Sequence, residues 1–111
     1  MAAAYPVLAL PPITISCSHE HGTWPGSVSI SARPLYSMVE DIRLSLERSG
    51  IRKLVIVNGH GGNYVLSNIV QEANVTEARM SLFPLGGEWR RGRQRAGLVS
   101  DAHSDMHAGE I

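Results

Sequence analysis

The order of patterns along the chain predicts an α/β fold with a mostly parallel sheet flanked by helices. Two observations carry this expectation. The run Leu54-Val55-Ile56-Val57 is continuously apolar and rich in β-branched residues, between two stretches with helical spacing. Such a run suits a strand covered on both faces. The whole chain then reads β-α-β-α-β, the alternation that builds parallel sheets through right-handed crossovers. With 111 residues, 43% of them apolar and 18% charged, it is one domain or part of one, and too apolar for intrinsic disorder.

The elements follow in order. Tyr5 to Leu10 is short and apolar and stops at Pro11-Pro12, which predicts a buried strand ending in a loop. Thr14 to Trp24 is polar, Pro25-Gly26 signals a turn, and Ser27 to Ser31 alternates as a brief extended stretch does. A helix is predicted over about Ala32 to Ser49. Ser31 suits its N-cap, and Pro34 falls in the first turn, where a missing N–H does no harm. Leu35, Val39, Ile42 and Leu46 form its apolar stripe. Gly50 suits the left-handed position after its end. The Leu54–Val57 strand leads through Asn58-Gly59-His60-Gly61-Gly62-Asn63 into a second helix, about Tyr64 to Asn74. A further strand is expected over Arg79 to Leu85. Gly86 to Ser100, with Arg90, Arg91, Arg93 and Arg95, reads as a basic loop.

Composition excludes several classes of function. Ten basic residues balance ten acidic ones, so nothing in the bulk charge draws the chain to nucleic acid or an anionic membrane. Pro, Gly or polar residues interrupt every apolar run before it could span a bilayer. One cysteine, Cys17, excludes an intrachain disulfide framework. It fits a reducing, cytoplasmic location. No basic region precedes the apolar opening, so no secretory signal is expected, and the sequon Asn74-Val75-Thr76 carries little weight without one.

The turn from Gly59 to Asn63 is the most informative stretch. It joins the carboxyl end of a strand to a helix, which is where open α/β sheets bind ligands. Its glycines allow close backbone approach, and His60 among them can bind a metal or move a proton. The bland alternative is a tight turn with an exposed histidine. Neither a dinucleotide fingerprint nor a P-loop is present: the count from Gly59 reaches Gly61 and then Tyr64, and no Gly-Lys-Ser/Thr follows.

Three blocks together resemble the creatininase (creatinine amidohydrolase) family. Leu-Val-Ile-Val-Asn58-Gly-His60-Gly-Gly-Asn63 looks like its signature. Ser18-His19-Glu20-His21 followed by Trp24-Pro25-Gly26-Ser27-Val28-Ser29 is similar to its Ser-x-x-His and Phe-Pro-Gly-Thr-Ile-Ser. Asp105-Met106-His107-Ala108-Gly109 resembles its Asp-x-His-Ala-Gly. The resemblance implies a metal-dependent hydrolase of C–N amide bonds, with a small-molecule amide or peptide substrate. It also implies a parallel α/β sheet and a homo-oligomer, often a hexameric ring. The implied roles are His60 as ligand to zinc, manganese or iron, His107 as the catalytic proton carrier, Ser18 and Asp105 as substrate contacts, and His21 as support. The family's other metal ligands, a Glu-x-His pair and an Asp, do not occur here. Creatinine amidohydrolase itself has Glu two positions after the metal-binding His, where this chain has Gly62. The resemblance therefore implies a partial domain over residues 1–111, incomplete at both ends, with weak metal binding and impaired activity.

Other candidates are weaker. Asp101, His103, Asp105 and His107 alternate as metal ligands on a strand would, but only the last two belong to a family block. His19-Glu20-His21 invites a metal reading, yet it lacks the helical His-Glu-x-x-His spacing. Trp89 with its neighbouring arginines could stack on a base; the zero net charge favours a solvated loop. Cys17 carries no sign of a lowered thiol pKa. Two further functions stay open: a non-catalytic remnant or assembly subunit, and a module that binds a small ligand or anion at the Gly59–Asn63 turn.

Overall fold

The structure is a computed structural model and describes residues 4–99. A 3₁₀ turn, His19–His21, precedes helix α1 (Ala32–Arg48), strand β1 (Leu54–Val57), helix α2 (Val65–Ala73), strand β2 (Met80–Phe83) and helix α3 (Gly86–Ala96). The two strands pair in parallel, with Leu54 opposite Met80 and Val57 opposite Phe83. The α/β class and the central β-α-β unit are therefore as expected.

Helix α1 begins after Ser31, which has the extended backbone of an N-cap, although its side chain makes no capping hydrogen bond. It ends as its sequence predicts. Gly50 adopts φ +82°, the Gly50 N–H donates to Glu47 O at 2.9 Å, and the Ile51 N–H donates to Leu46 O at 2.9 Å. This is the paired closure that a left-handed glycine allows. Leu35 and Val39 of the apolar stripe are buried, and Ile42 and Leu46 are half-buried.

The core joins those residues to Leu66 and Ile69 of α2, Met80 of β2 and Cys17 from the N-terminal loop, with Leu54, Ile56 and Leu82 packed against it. The strand residues between them point the other way: Val55 is 53% exposed, Val57 65% and Phe83 48%. The strand was expected to be covered on both faces. Among the described residues, α1 and α2 share a core with only one face of the sheet, so a continuous apolar run has an alternating burial.

Two further expectations need correction. Tyr5 to Leu10 is neither a strand nor buried. Apolar residues favour a strand only where a neighbour takes up their backbone hydrogen bonds, and none of the described strands pairs with this segment. Gly86 to Ala96 is a helix, not a loop. Its start is closed by Glu88, whose Oε2 accepts the Leu85 N–H at 2.6 Å, and its end by Gly97 at φ +71°. Gly86, Gly87 and Gly92 lower its helical propensity and hid it, while its four arginines are good helix formers.

Polar contacts lock the connections. Asn74 Oδ1 accepts the N–H groups of Arg79 and Met80 at 2.7 and 2.9 Å, and its Nδ2 donates to Met80 O at 2.9 Å. The sequon residue is thus a brace between α2 and β2. The Tyr36 hydroxyl donates to Glu72 at 2.6 Å across α1 and α2, and this bond to a carboxylate pushes the phenol pKa up. Arg43 binds Glu40 through two nitrogens and Glu47 through a third. The Arg43 hydrogen bond holds the Glu40 carboxyl below its ordinary range, and Arg79 does the same for Glu47.

Candidate functional site

The site forms where β1 stops. The Asn58 N–H extends the ladder by donating to Phe83 O at 2.7 Å. Its side chain turns inward along the loop, and Asn58 Oδ1 accepts the His60 N–H at 3.3 Å and Asn63 Nδ2 at 3.1 Å. The first and last residues of the Asn-Gly-His-Gly-Gly-Asn turn are therefore tied to each other. This holds His60 at the carboxyl end of the strand.

Asn63 also reaches outside the turn. Its Oδ1 accepts the Cys17 N–H at 3.0 Å, a contact between residues far apart in sequence. The segment after Cys17 is closed on itself by two bonds: the Ser18 N–H donates to Ser29 Oγ at 2.9 Å, and the Ile30 N–H donates to Ser16 O at 3.2 Å. Between these anchors the 3₁₀ turn carries Glu20 and His21 over the glycine turn. Glu20 Oε1 lies 2.7 Å from His60 Nε2 and 3.9 Å from His21 Nε2. The two imidazole rings are 5.8 Å apart, tilted by 39°. One ligand atom from each of Glu20, His21 and His60 falls within 4.8 Å of the others. Two imidazoles and a carboxylate suit zinc, iron(II) or manganese, so the donor set fits the metal dependence of the family.

Gly62 makes this approach possible. It is buried, and a β-carbon built on it would overlap Glu20 Oε1 while lying 2.7 Å from His60 Nε2 and 2.8 Å from Cys17 O. Any side chain at position 62 would displace the carboxylate.

Of the residues read from the sequence, His60 stands at the centre of this cluster. Ser18 begins the 3₁₀ turn that presents Glu20 and His21, and its carbonyl accepts the His21 N–H at 3.2 Å. His107 and Asp105, like Asp101 and His103, lie outside the described residues. The His19-Glu20-His21 run lacks the helical spacing of a metal motif, yet long-range packing brings Glu20 and His21 of that run against His60. Cys17 is 7% exposed, and burial, with the charge of Glu20, pushes its thiol pKa up. A thiol held protonated is a poor nucleophile. Trp89 and its neighbouring arginines lie on α3 rather than on a loop.

Among the described residues, no helix is long and apolar enough to cross a membrane. No curated protein and no solved structure matches the chain. The model of the creatininase family, described as creatinine amidohydrolase, matches residues 1–111, the whole chain. A strand ending in Asn-Gly-His-Gly-Gly-Asn, a histidine-bearing loop folded over it and this match across the full sequence lead to one assignment: the chain belongs to the creatininase family, hydrolases that act on C–N bonds.

Proposed function

We propose that the chain is a metal-dependent amidohydrolase acting on a C–N amide bond of a small molecule or peptide. The observation that carries this reading is the convergence of His60, Glu20 and His21 at the carboxyl end of β1. A divalent cation held through His60 would supply Lewis-acid polarisation of the amide carbonyl for attack by water. The His60 atom placed to hold it is Nε2, the nitrogen that faces Glu20. By the family resemblance, Ser18 and Asp105 orient the substrate, and His107 delivers a proton to the departing nitrogen, a task imidazole performs well near neutral pH.

A complementing chain that carries the family's Glu-x-His pair and Asp is expected to raise turnover by adding metal ligands. The two histidines should fail differently in assays of linear and cyclic amides with zinc- or manganese-loaded protein. His60→Ala should lose both metal and turnover. His107→Ala should keep its metal and lose turnover by roughly 10²–10⁴-fold. Full turnover in His107→Ala would reject its role, and hydrolysis of no amide with or without a complementing chain would favour a non-catalytic subunit.

Homo-oligomeric assembly in the cytoplasm belongs to the same reading. The exposed apolar face formed by Val55, Val57 and Phe83 supports association, and a single buried cysteine suits a reducing compartment. Light scattering coupled to gel filtration should give a mass above that of one chain; a monomer at every concentration would reject the assembly.

A further inference from the structure

We propose that Glu20, His21 and His60 form a three-ligand divalent-cation site of this chain's own, with the Glu20 carboxylate filling the space that a side chain at position 62 would take. The inference deepens the functional reading above and rests on it only for what the bound cation does; binding itself is a separate property.

The chemistry of the donors comes first. Two neutral imidazoles and one carboxylate leave a divalent cation with net positive charge and room for a further ligand, the composition of catalytic zinc sites and of iron(II) sites. The spacing comes second. Ligand atoms around a tetrahedral zinc ion lie about 3.4 Å apart, from bond lengths of about 2.1 Å. The Glu20–His60 and Glu20–His21 separations, 2.7 and 3.9 Å, bracket that value, and the His21–His60 separation is within 4.8 Å. Small side-chain adjustments would open the Glu20–His60 pair and close the Glu20–His21 pair.

Pre-organisation is the third argument. The ligands come from two segments of the chain, so loop entropy would scatter them without a tie. Asn63 provides it by accepting the Cys17 N–H, and the Ser18–Ser29 and Ile30–Ser16 bonds close the loop that carries Glu20 and His21. The fourth is Gly62. Position 62 is bare, and Glu20 Oε1 lies close enough to overlap a β-carbon built there. A carboxylate is thus brought beside His60 from a distant part of the chain. Three ligands also change the expectation drawn from His60 alone: binding should be stoichiometric rather than weak.

The probe is Zn²⁺, titrated into the metal-free full chain by calorimetry, with circular dichroism verifying the fold of each variant. The wild type should bind one equivalent. Glu20→Gln, His21→Ala and His60→Ala should each weaken binding by about 100-fold or more, since each removes one of about three protein ligands. Gly62→Ala should also weaken it, by about 10-fold or more, an effect of the size found when a ligand's support is lost. The decisive arm is the double variant Gly62→Ala/Glu20→Gln. If Gly62 acts mainly by making room for Glu20, the loss in the double variant falls well short of the sum of the two single losses, because the two changes share an interaction; what remains beyond Glu20→Gln reports the approach of the β-carbon to His60 and to the Cys17 carbonyl. Additive losses would overturn the role of Gly62. Unchanged zinc affinity in Glu20→Gln or His21→Ala would overturn the ligand set, as would a wild type that binds no zinc. Zinc binding with this pattern but without amide hydrolysis, both alone and with a complementing chain, would support the site while rejecting the amidohydrolase reading. Hydrolysis that survives Glu20→Gln unchanged would do the reverse.

Discussion

Replacing Ile69 with Ala should destabilise the chain more than any other single truncation among the described residues. Ile69 is 1% exposed, the most deeply buried large side chain there. It sits on α2, the helix that packs on both α1 and β2, so its removal opens a hole where three elements meet. Loss of a buried aliphatic side chain costs about 2–5 kcal/mol, part of it transfer free energy and part the cavity left behind. A domain of this size has a total stability of roughly 5–15 kcal/mol, so Ile69→Ala should sit near the edge of folding. Urea denaturation followed by circular dichroism measures the loss, and Ile69→Val provides the scale, with an expected cost of about 0.5–1.5 kcal/mol. A loss below about 1 kcal/mol for Ile69→Ala would mean that the α1–α2–β2 junction is not the main core.

Asn63→Ala should damage both stability and the site. The side chain accepts the Cys17 N–H and donates to Asn58, which in turn holds the His60 N–H. Truncation leaves the Cys17 N–H and Asn58 Oδ1 each short of a partner, at about 1–3 kcal/mol for a buried group left unsatisfied. It also unties the loop bearing Glu20 and His21 from the turn bearing His60. Zinc affinity should fall by about 10–100-fold, the usual consequence of losing a group that orients ligands. Asn63→Asp keeps an acceptor for Cys17 but sets a carboxylate against Asn58 Oδ1. It should therefore lose stability while retaining more of the tie than Ala does. Unchanged zinc affinity in Asn63→Ala, measured on folded protein, would show that this hydrogen bond does not position Glu20.

Local patterns were legible wherever one residue's neighbours in sequence decide its state. The four residues of β1, the bounds of α1 to within one residue, the Gly50 closure and the β-α-β order follow from periodicity, propensity and glycine conformational freedom. Helix α3 was not legible, because its three glycines oppose a helix and the Glu88 side chain that closes its start carries no strong local signal. The candidate site was half legible. His60 stands out because its turn is a local motif, one of the three blocks that carry the resemblance to the creatininase family.

Glu20 belongs to the other half. Its place beside His60 depends on a 40-residue separation in sequence closed by the Asn63–Cys17 hydrogen bond and on a buried glycine with no β-carbon to exclude it. The same division applies to the sheet. Apolarity marks Val55 and Val57 as strand residues, but burial requires a partner surface, and among the described residues the helices cover the opposite face. Periodicity can say which residues share a face; which face is covered, and which distant side chain is brought against a histidine, depends on long-range packing that no local pattern encodes.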